Sequence, residues 1–237
     1  MLIAAACVSV FVGTMLQAAT GFGFSLVAAP LVFAALEAEP AVVALLVLGL
    51  EVNLLTLLTE NRRPRPLGRA AAVMLACAAP GAFVGVVVLR ALPELALQIA
   101  VTLGVIGTLA ARHVTSAHVP APVAGFAAGA LTTTTSTNGP PLLLHLLGRG
   151  VAPAQVRDTL TVCFIGLAAL GALALTASGE PALPDAAFVL GLLPAVAVAH
   201  VIGRRGFARL AAGEHYERVL TGVMLVAIAV GLIGALS

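Results

Sequence analysis

Two short polar stretches interrupt long apolar runs and hold the residues best suited to bind a solute. The first runs from Gln17 to Ser25 and the second from Thr132 to Pro141. Glycine, proline and consecutive hydroxyl residues disfavour a continuous helix. A helix that restarts after a break presents unpaired N–H groups and the positive end of its dipole, which bind anions. The candidate binding residues are Thr20, Gly21, Gly23, Ser25, Thr135, Ser136, Thr137, Asn138, Gly139 and Pro140.

The second stretch has the pattern of a helix start. Asn138 or Gly139 would be its N-cap and Pro140 its first helical residue, a favoured arrangement. Hydroxyl and amide side chains add donors for anionic oxygens, and glycine lets an oxyanion approach the backbone closely. Small and hydroxyl residues are also common where membrane helices pack, so each residue alone fits either role. Two breaks at equivalent positions of two halves favour a binding site.

Few other polar residues lie inside the apolar runs. Glu51 is a candidate proton carrier, because a carboxylate at membrane depth is a functional candidate; the alternative is a neutral, hydrogen-bonded structural acid. Gln17 and Asn53 are secondary candidates, with Gln17 also expected to form an interhelical hydrogen bond. Arg157 and Asp158 are expected to form a surface pair at a helix start. The three cysteines lie in apolar stretches without paired spacing, so we predict neither a metal site nor a cofactor.

The composition places these residues in a membrane. Of the 237 residues, 61% are hydrophobic and only 9% are charged, too few polar side chains to cover a water-soluble surface. The net charge of +2 forms no basic face, so no nucleic-acid partner is expected. The lipid bilayer is the expected surroundings of eight apolar segments, at roughly 2–36, 41–59, 70–89, 94–111, 121–147, 158–178, 185–203 and 219–236.

The breaks fall in the first and fifth segments, which divides the chain into membrane repeats at 1–111 and 119–237 within one membrane domain. If the fifth segment is a re-entrant hairpin, eleven of the twelve arginines fall on one side and Arg90 on the other. We therefore predict an all-α integral membrane protein of two inverted repeats, each a broken helical hairpin followed by three transmembrane helices. The alternative is eight full spans in two parallel repeats.

The motifs at the two breaks resemble a known family. Gly21-Phe22-Gly23-Phe24-Ser25, followed by Ala29-Pro30-Leu31, is similar to the first-repeat signature of the sulfite exporter TauE/SafE family, and the run from Asn138 to Leu142 resembles its glycine-proline element. The resemblance covers the whole chain. It implies a multi-pass permease of the bacterial inner membrane for sulfur-containing or organic anions such as sulfite or sulfonates. The run of four threonines before Ser136 departs from the expected glycine.

The prediction is thus a secondary transporter for a small anion, and not an enzyme. An intramembrane enzyme would need a nucleophile–base or metal constellation, which the sequence lacks. An anion channel would need a continuous polar stripe, for which the second, third, sixth and eighth segments are too apolar. The sequence leaves open which anion is carried, the direction, the coupling ion and whether the first segment is a hairpin. The stretch from Gly81 to Gly85 could pack within the bundle or in a homodimer.

Overall fold

The protein is all-helical in the part that the structure describes. The computed structural model describes residues 2–60, 63–93, 96–97, 99, 119–147 and 149–211, and these contain helices and connecting turns but no strand. The helices are α1 (Leu2–Thr20), α2 (Phe24–Ala35), α3 (Ala38–Thr59), α4 (Gly68–Ala91), α5 (Ala121–Thr134), α6 (Gly139–Leu147), α7 (Pro153–Ala177) and α8 (Ala186–Ala211).

Five of these helices are long and apolar enough to cross a membrane: α1, α3, α4, α7 and the first 20 residues of α8, with mean hydropathies from 2.0 to 2.4. The prediction of an all-α integral membrane protein is therefore confirmed. The predicted segment 94–111 lies largely outside the described residues, and the predicted segment 219–236 lies wholly outside them. The shorter helices α2, α5 and α6 belong to the two interrupted segments.

The first interrupted segment folds back on itself, and we call it hairpin one (α1 and α2). A methyl group added at Gly13 of α1 would lie only 2.6 Å from the carbonyl oxygen of Phe24, the first residue of α2. Gly13 lies about two turns before the end of α1, so α2 runs back along α1. The reversal uses Gly21 and Gly23, whose φ angles of 91° and 107° are accessible to glycine at little cost.

The second interrupted segment, hairpin two (α5 and α6), enters and leaves at the same end of the molecule. The His145 Nδ1 atom, near the end of α6, lies 2.7 Å from the Val119 carbonyl oxygen, just before α5. The turn between the helices contains Ser136 at a φ of 59°, a left-handed conformation that is uncommon for a residue with a side chain. The sequence here has serine where the first hairpin has glycine.

Helices α4 and α5 are parallel and very closely packed. A methyl group added at Gly125 would lie 2.2 Å from the Met74 carbonyl oxygen, and one at Gly129 would lie 2.1 Å from that of Ala78. The same register continues along both helices, so they start at the same end. Gly81 also packs against α5, where an added methyl group would lie 2.2 Å from the Phe126 carbonyl oxygen. The glycine stretch of α4 is thus used inside the chain, as small residues often are between membrane helices.

The described arginine side chains separate between the two ends of the bundle. Arg90, at the end of α4, bonds to Glu39 at the start of α3 (2.8 Å) and to the Ser178 carbonyl after α7 (2.6 Å). The opposite end, called here the arginine-rich end, holds Arg63, Arg65, Arg69, Arg149, Arg157, Arg204 and Arg205. Arg62, Arg112 and Arg218 lie outside the described residues.

The two hairpins enter from opposite ends of the bundle. Hairpin one leads into α3 at the Arg90 end, whereas hairpin two begins and ends at the arginine-rich end, where Arg149 and Arg69 line one cleft. The inverted relation of the halves and the division at 1–111 and 119–237 stay predictions, since the last segment of each half lies largely or wholly outside the described residues.

Candidate functional site

The tips of the two hairpins meet around a small cavity. Its volume is about 40 Å³, and both broken segments contribute to its wall. Gly49, near the middle of α3, and Phe164, near the middle of α7, also line it, which places the cavity at about half the depth of the bundle. Among the described residues, the lining consists of Gln17, Gly23, Phe24, Ser25, Leu26, Leu45, Leu46, Gly49, Leu50, Asn53, Ser136, Thr137, Asn138, Gly139, Phe164 and Ala168.

Close contact between the tips explains the glycine at the start of α6. A methyl group added at Gly139 would lie 3.3 Å from the Phe22 ring and 3.6 Å from that of Phe164. These distances leave little space for a side chain at position 139. Phe22 itself is fully buried between the hairpins. The residue at the turn of hairpin one thus packs directly against the first residue of α6.

The start of α2 is held by a chain of side-chain amides. The Phe24 N–H donates to Gln17 Oε1 (3.1 Å), and Gln17 Nε2 donates to Asn53 Oδ1 (3.1 Å). Asn53 Nδ2 in turn donates to the Gly49 carbonyl (2.6 Å). Gln17 therefore joins α1, α2 and α3 around the cavity, as predicted for an interhelical hydrogen-bond partner. The first turn of a helix has N–H groups without intrahelical partners, and those of Ser25 and Leu26 belong to residues that line the cavity.

The start of α6 offers fewer backbone donors than the start of α2. Gly139 has an N–H group, but Pro140 and Pro141 have none. Side chains dominate here instead: Asn138 Nδ2 donates to Thr132 Oγ1 (2.9 Å), and the hydroxyls of Thr135 and Thr137 lie 2.8 Å apart. The two hairpins are therefore chemically different, one presenting backbone amides and the other mainly hydroxyl and amide side chains.

The comparison with protein families decides what kind of molecule this is. The chain matches the family described as sulfite exporter TauE/SafE over residues 5–232 of its 237 residues. The chain belongs to the sulfite exporter TauE/SafE family. The predicted family is thus confirmed. Neither the curated proteins nor the solved structures gave a match.

Most of the site residues predicted for this TauE/SafE protein line the cavity. They are Gly23, Ser25, Ser136, Thr137, Asn138 and Gly139, together with the secondary candidates Gln17 and Asn53. Four others do not line it: Thr20, Gly21, Thr135 and Pro140. Two of those four support the turns instead. The Thr20 hydroxyl donates to the Phe22 carbonyl oxygen (2.7 Å). The hydroxyl groups of Thr135 and Thr137 bond to each other.

Glu51 lies away from the cavity. Gly49 and Asn53 face the cavity from α3, and Glu51 falls on the opposite side of this helix, the side that carries the exposed Val47 and Leu54. One carboxylate oxygen of Glu51 is buried and has no hydrogen-bond partner among the described residues. A role in coupling would therefore act through the position of α3, with no direct contact between Glu51 and the solute.

The expectation of a surface pair at Arg157 and Asp158 is wrong. Arg157 is 3% exposed and Asp158 is 5% exposed. Arg157 forms an ion pair with Glu60, just after α3, and donates to the Ala18 carbonyl near the end of α1 (3.0 Å). Asp158 accepts a hydrogen bond from the Arg65 N–H (2.7 Å). Both side chains are buried because they bind polar groups at the ends of neighbouring helices, which a local sequence pattern does not reveal.

Gly21 is explained by the same arginine. A methyl group added at Gly21 would lie 2.8 Å from the Arg157 side chain, and its φ of 91° further favours glycine. Arg157 thus packs directly behind the tip of hairpin one, on the side of the arginine-rich end. Its charge faces Glu60 and the carbonyl end of α1, a favourable place for a cation. The sequence signal that could have found it is an arginine one turn inside an apolar helix.

Proposed function

We propose that this TauE/SafE protein is a secondary transporter that carries a small sulfur-containing oxyanion, such as sulfite or a small sulfonate, across the bacterial inner membrane. The observation that supports this best is the cavity at half depth, lined by residues from the starts of α2 and α6. Broken helices that meet at mid-membrane are a recurring form of transporter binding site. Non-helical backbone at membrane depth is tolerated only where it is buried in protein or lines a water-filled cavity, and here it lines a cavity.

The donors around the cavity suit an anion without any cation in the wall. None of the described lining residues is ionisable. Their polar groups are backbone N–H groups, the hydroxyls of Ser25, Ser136 and Thr137, and the side-chain amides of Gln17, Asn53 and Asn138. Neutral donors of this kind stabilise a negative charge, especially at a helix start. They also hold the anion less tightly than a buried arginine would, which suits a carrier that must release its substrate.

The size of the cavity favours an inorganic oxyanion over a bulky organic one. A water molecule needs about 10–15 Å³ of such volume. The observed volume of about 40 Å³ therefore holds about three water-sized groups. Sulfite, with its few heavy atoms, is the better substrate on this ground, and larger sulfonates would require the cavity to widen.

Proton coupling through Glu51 is part of the proposal. Glu51 shares α3 with the lining residues Gly49 and Asn53. Protonation of Glu51 would lower the free-energy cost of keeping this face of α3 within the bilayer. Asn53 accepts a hydrogen bond from Gln17, and Gln17 accepts one from the Phe24 N–H at the start of α2. A shift of α3 would therefore also move the start of α2.

Flux into liposomes tests the proposal directly. The purified full chain is reconstituted, and uptake of sulfite, a small sulfonate and chloride is measured with and without a pH gradient. We expect saturable sulfite flux that responds to the gradient and competition by related oxyanions. Absence of flux for every anion, in protein that remains folded, would rule out the transporter. Flux of all anions without saturation would indicate a channel instead.

A further inference from the structure

A basic cleft opens at the arginine-rich end, between the starts of α4 and α5. It has a volume of about 510 Å³ and lies apart from the cavity at the hairpin tips. Arg69 and Arg149 line it, together with Gly68, Val73 and Ala121. Both α4 and α5 begin here, and because they are parallel the positive ends of both helix dipoles point toward this end.

The two arginines of the cleft have no acidic partner among the described residues. Both side chains are exposed, and the contact made by Arg149 is with the His145 ring, where Nη1 lies 3.3 Å from Nε2. The His145 ring is oriented by the Val119 carbonyl. The cleft therefore concentrates positive charge that no carboxylate of the described residues balances, which is the arrangement expected for an anionic ligand.

A separate apolar groove lies further along α4, closer to the middle of the bundle. It lies between the same two helices and has a volume of about 500 Å³. Its lining is Ala76, Cys77 and Pro80 of α4 with Pro122, Val123, Phe126 and Ala127 of α5. On α4 the line from Arg69 through Val73 to Cys77 and Pro80 follows one face of the helix, with spacings of three or four residues. The basic cleft and the apolar groove are thus successive parts of one surface.

The length of this surface matches one leaflet of a bilayer. Arg69 and Pro80 are eleven residues apart, which corresponds to about 16 Å along a helix. Half of a hydrocarbon core is about 15 Å thick. A free phosphate or the transported oxyanion would occupy only a small part of the cleft and would leave the apolar groove without a role. A lipid has both a charged end and an apolar chain in this order.

We infer that the cleft and the groove bind one anionic phospholipid from the leaflet at the arginine-rich end. The phosphate lies between Arg69 and Arg149, and one acyl chain follows the groove between α4 and α5. Basic pockets between transmembrane helices bind anionic headgroups in this way. Since α5 belongs to hairpin two, the lipid would contact the base of the hairpin whose tip lines the cavity.

Native mass spectrometry and thermal unfolding of the full chain in detergent test this inference. The chain is titrated with phosphatidylglycerol, phosphatidylcholine or inorganic phosphate. We expect phosphatidylglycerol to remain bound at one per chain and to raise the unfolding temperature, with weaker effects from the other two. Equal binding of phosphatidylcholine, or equal stabilisation by inorganic phosphate, would overturn the lipid assignment.

Three variants locate the site. Arg69→Gln combined with Arg149→Gln removes two charges, and we expect phosphatidylglycerol affinity to fall about 30-fold. Ala127→Phe fills the apolar groove and is expected to weaken lipid binding while leaving binding of inorganic phosphate unchanged. Arg205→Gln is the matched control, since this exposed arginine lies at the same end and does not line the cleft. If Arg205→Gln weakens binding as much as the double variant, the attraction is non-specific and the site is wrong.

A fourth outcome concerns a second copy of the chain. If the groove were a dimer interface, a cysteine at Val123 would crosslink between chains in liposomes, and Ala127→Phe would change the oligomeric state. Such a result, with no bound phosphatidylglycerol, would replace the lipid by a protomer. The anion flux of the double arginine variant separates the lipid site from the transport site. Loss of lipid binding with retained flux would show that the two sites are distinct.

Discussion

Asn138 is the residue at which a very small change tests anion binding most sharply. It precedes α6, lines the cavity and donates from Nδ2 to the Thr132 hydroxyl (2.9 Å). Aspartate has the same shape as asparagine and is equally favoured before a helix. It could accept a hydrogen bond from the Thr132 hydroxyl, which now bonds to the Ala128 carbonyl. Asn138→Asp therefore adds a negative charge with little change to the fold.

The size of the effect follows from the dimensions of the cavity. In a volume of about 40 Å³, a bound anion lies about 4 Å from the side chain at position 138. Two like charges at about 4 Å repel by about 4 kcal/mol at an effective dielectric constant of about 20. Since about 1.4 kcal/mol corresponds to a factor of ten, binding should weaken roughly a thousandfold. A neutral substrate would show no such loss.

Sulfite flux into liposomes at pH 8, measured over a range of concentrations, provides the assay. Asn138→Asp should raise the KM beyond the measurable range, whereas Asn138→Ser should retain flux within about tenfold because serine also caps a helix and adds no charge. Circular dichroism and gel filtration confirm that both variants fold. Native flux in the aspartate variant would refute the reasoning, because the transported anion would then not come close to position 138.

Three further predictions concern the surroundings of the cavity. Gln17→Leu leaves the Phe24 N–H without its acceptor, and should lower stability by about 1–3 kcal/mol and sulfite flux at least tenfold; unfolding in detergent and flux assays measure the two effects. Glu51→Gln should abolish the response of flux to a pH gradient, and an unchanged response would make Glu51 a structural residue. Arg157→Gln should lower the free energy of unfolding by about 3–5 kcal/mol, because it leaves the largely buried Glu60 without this partner. In a double-mutant cycle, adding Glu60→Gln should restore part of this loss. Additive losses would contradict the pairing.

The breaks in the helices could be predicted because their causes are local. Several glycine, proline and hydroxyl residues in a row disfavour a helix, whereas a single proline such as Pro80 lies within a helix, so the sequence placed both interruptions correctly. The break in the first segment is shorter than the polar stretch suggested, since α1 continues through Thr20 and α2 begins at Phe24. The Thr20 hydroxyl lies within hydrogen-bond distance of the Leu16 carbonyl of the preceding turn (2.8 Å) and of the Phe22 carbonyl (2.7 Å), so it stays satisfied at the end of α1.

The apolar wall and the partners of the buried arginine could not be predicted, because both depend on contacts between distant parts of the chain. Phe164 and Ala168 line the cavity, but their sequence surroundings resemble those of any apolar helix. Arg157 pairs with Glu60, 97 positions away, and with the Ala18 carbonyl, 139 positions away. No periodicity within α7 indicates those partners. Glu51 was singled out for its charge, and its direction away from the cavity depends on how α3 packs.

The different chemistry of the two hairpins suggests a division of roles within the proposed site. The start of α2 presents backbone N–H groups, and Gln17 already occupies one of them, which fixes the direction of the others. The start of α6 lacks donors at Pro140 and Pro141, so hairpin two contributes mainly side-chain groups. Arg157 lies behind hairpin one, but Glu60 balances its charge, so the arginine need not hold an anion permanently. A site of neutral donors, supported by a cation that is already paired, can bind an oxyanion and still release it.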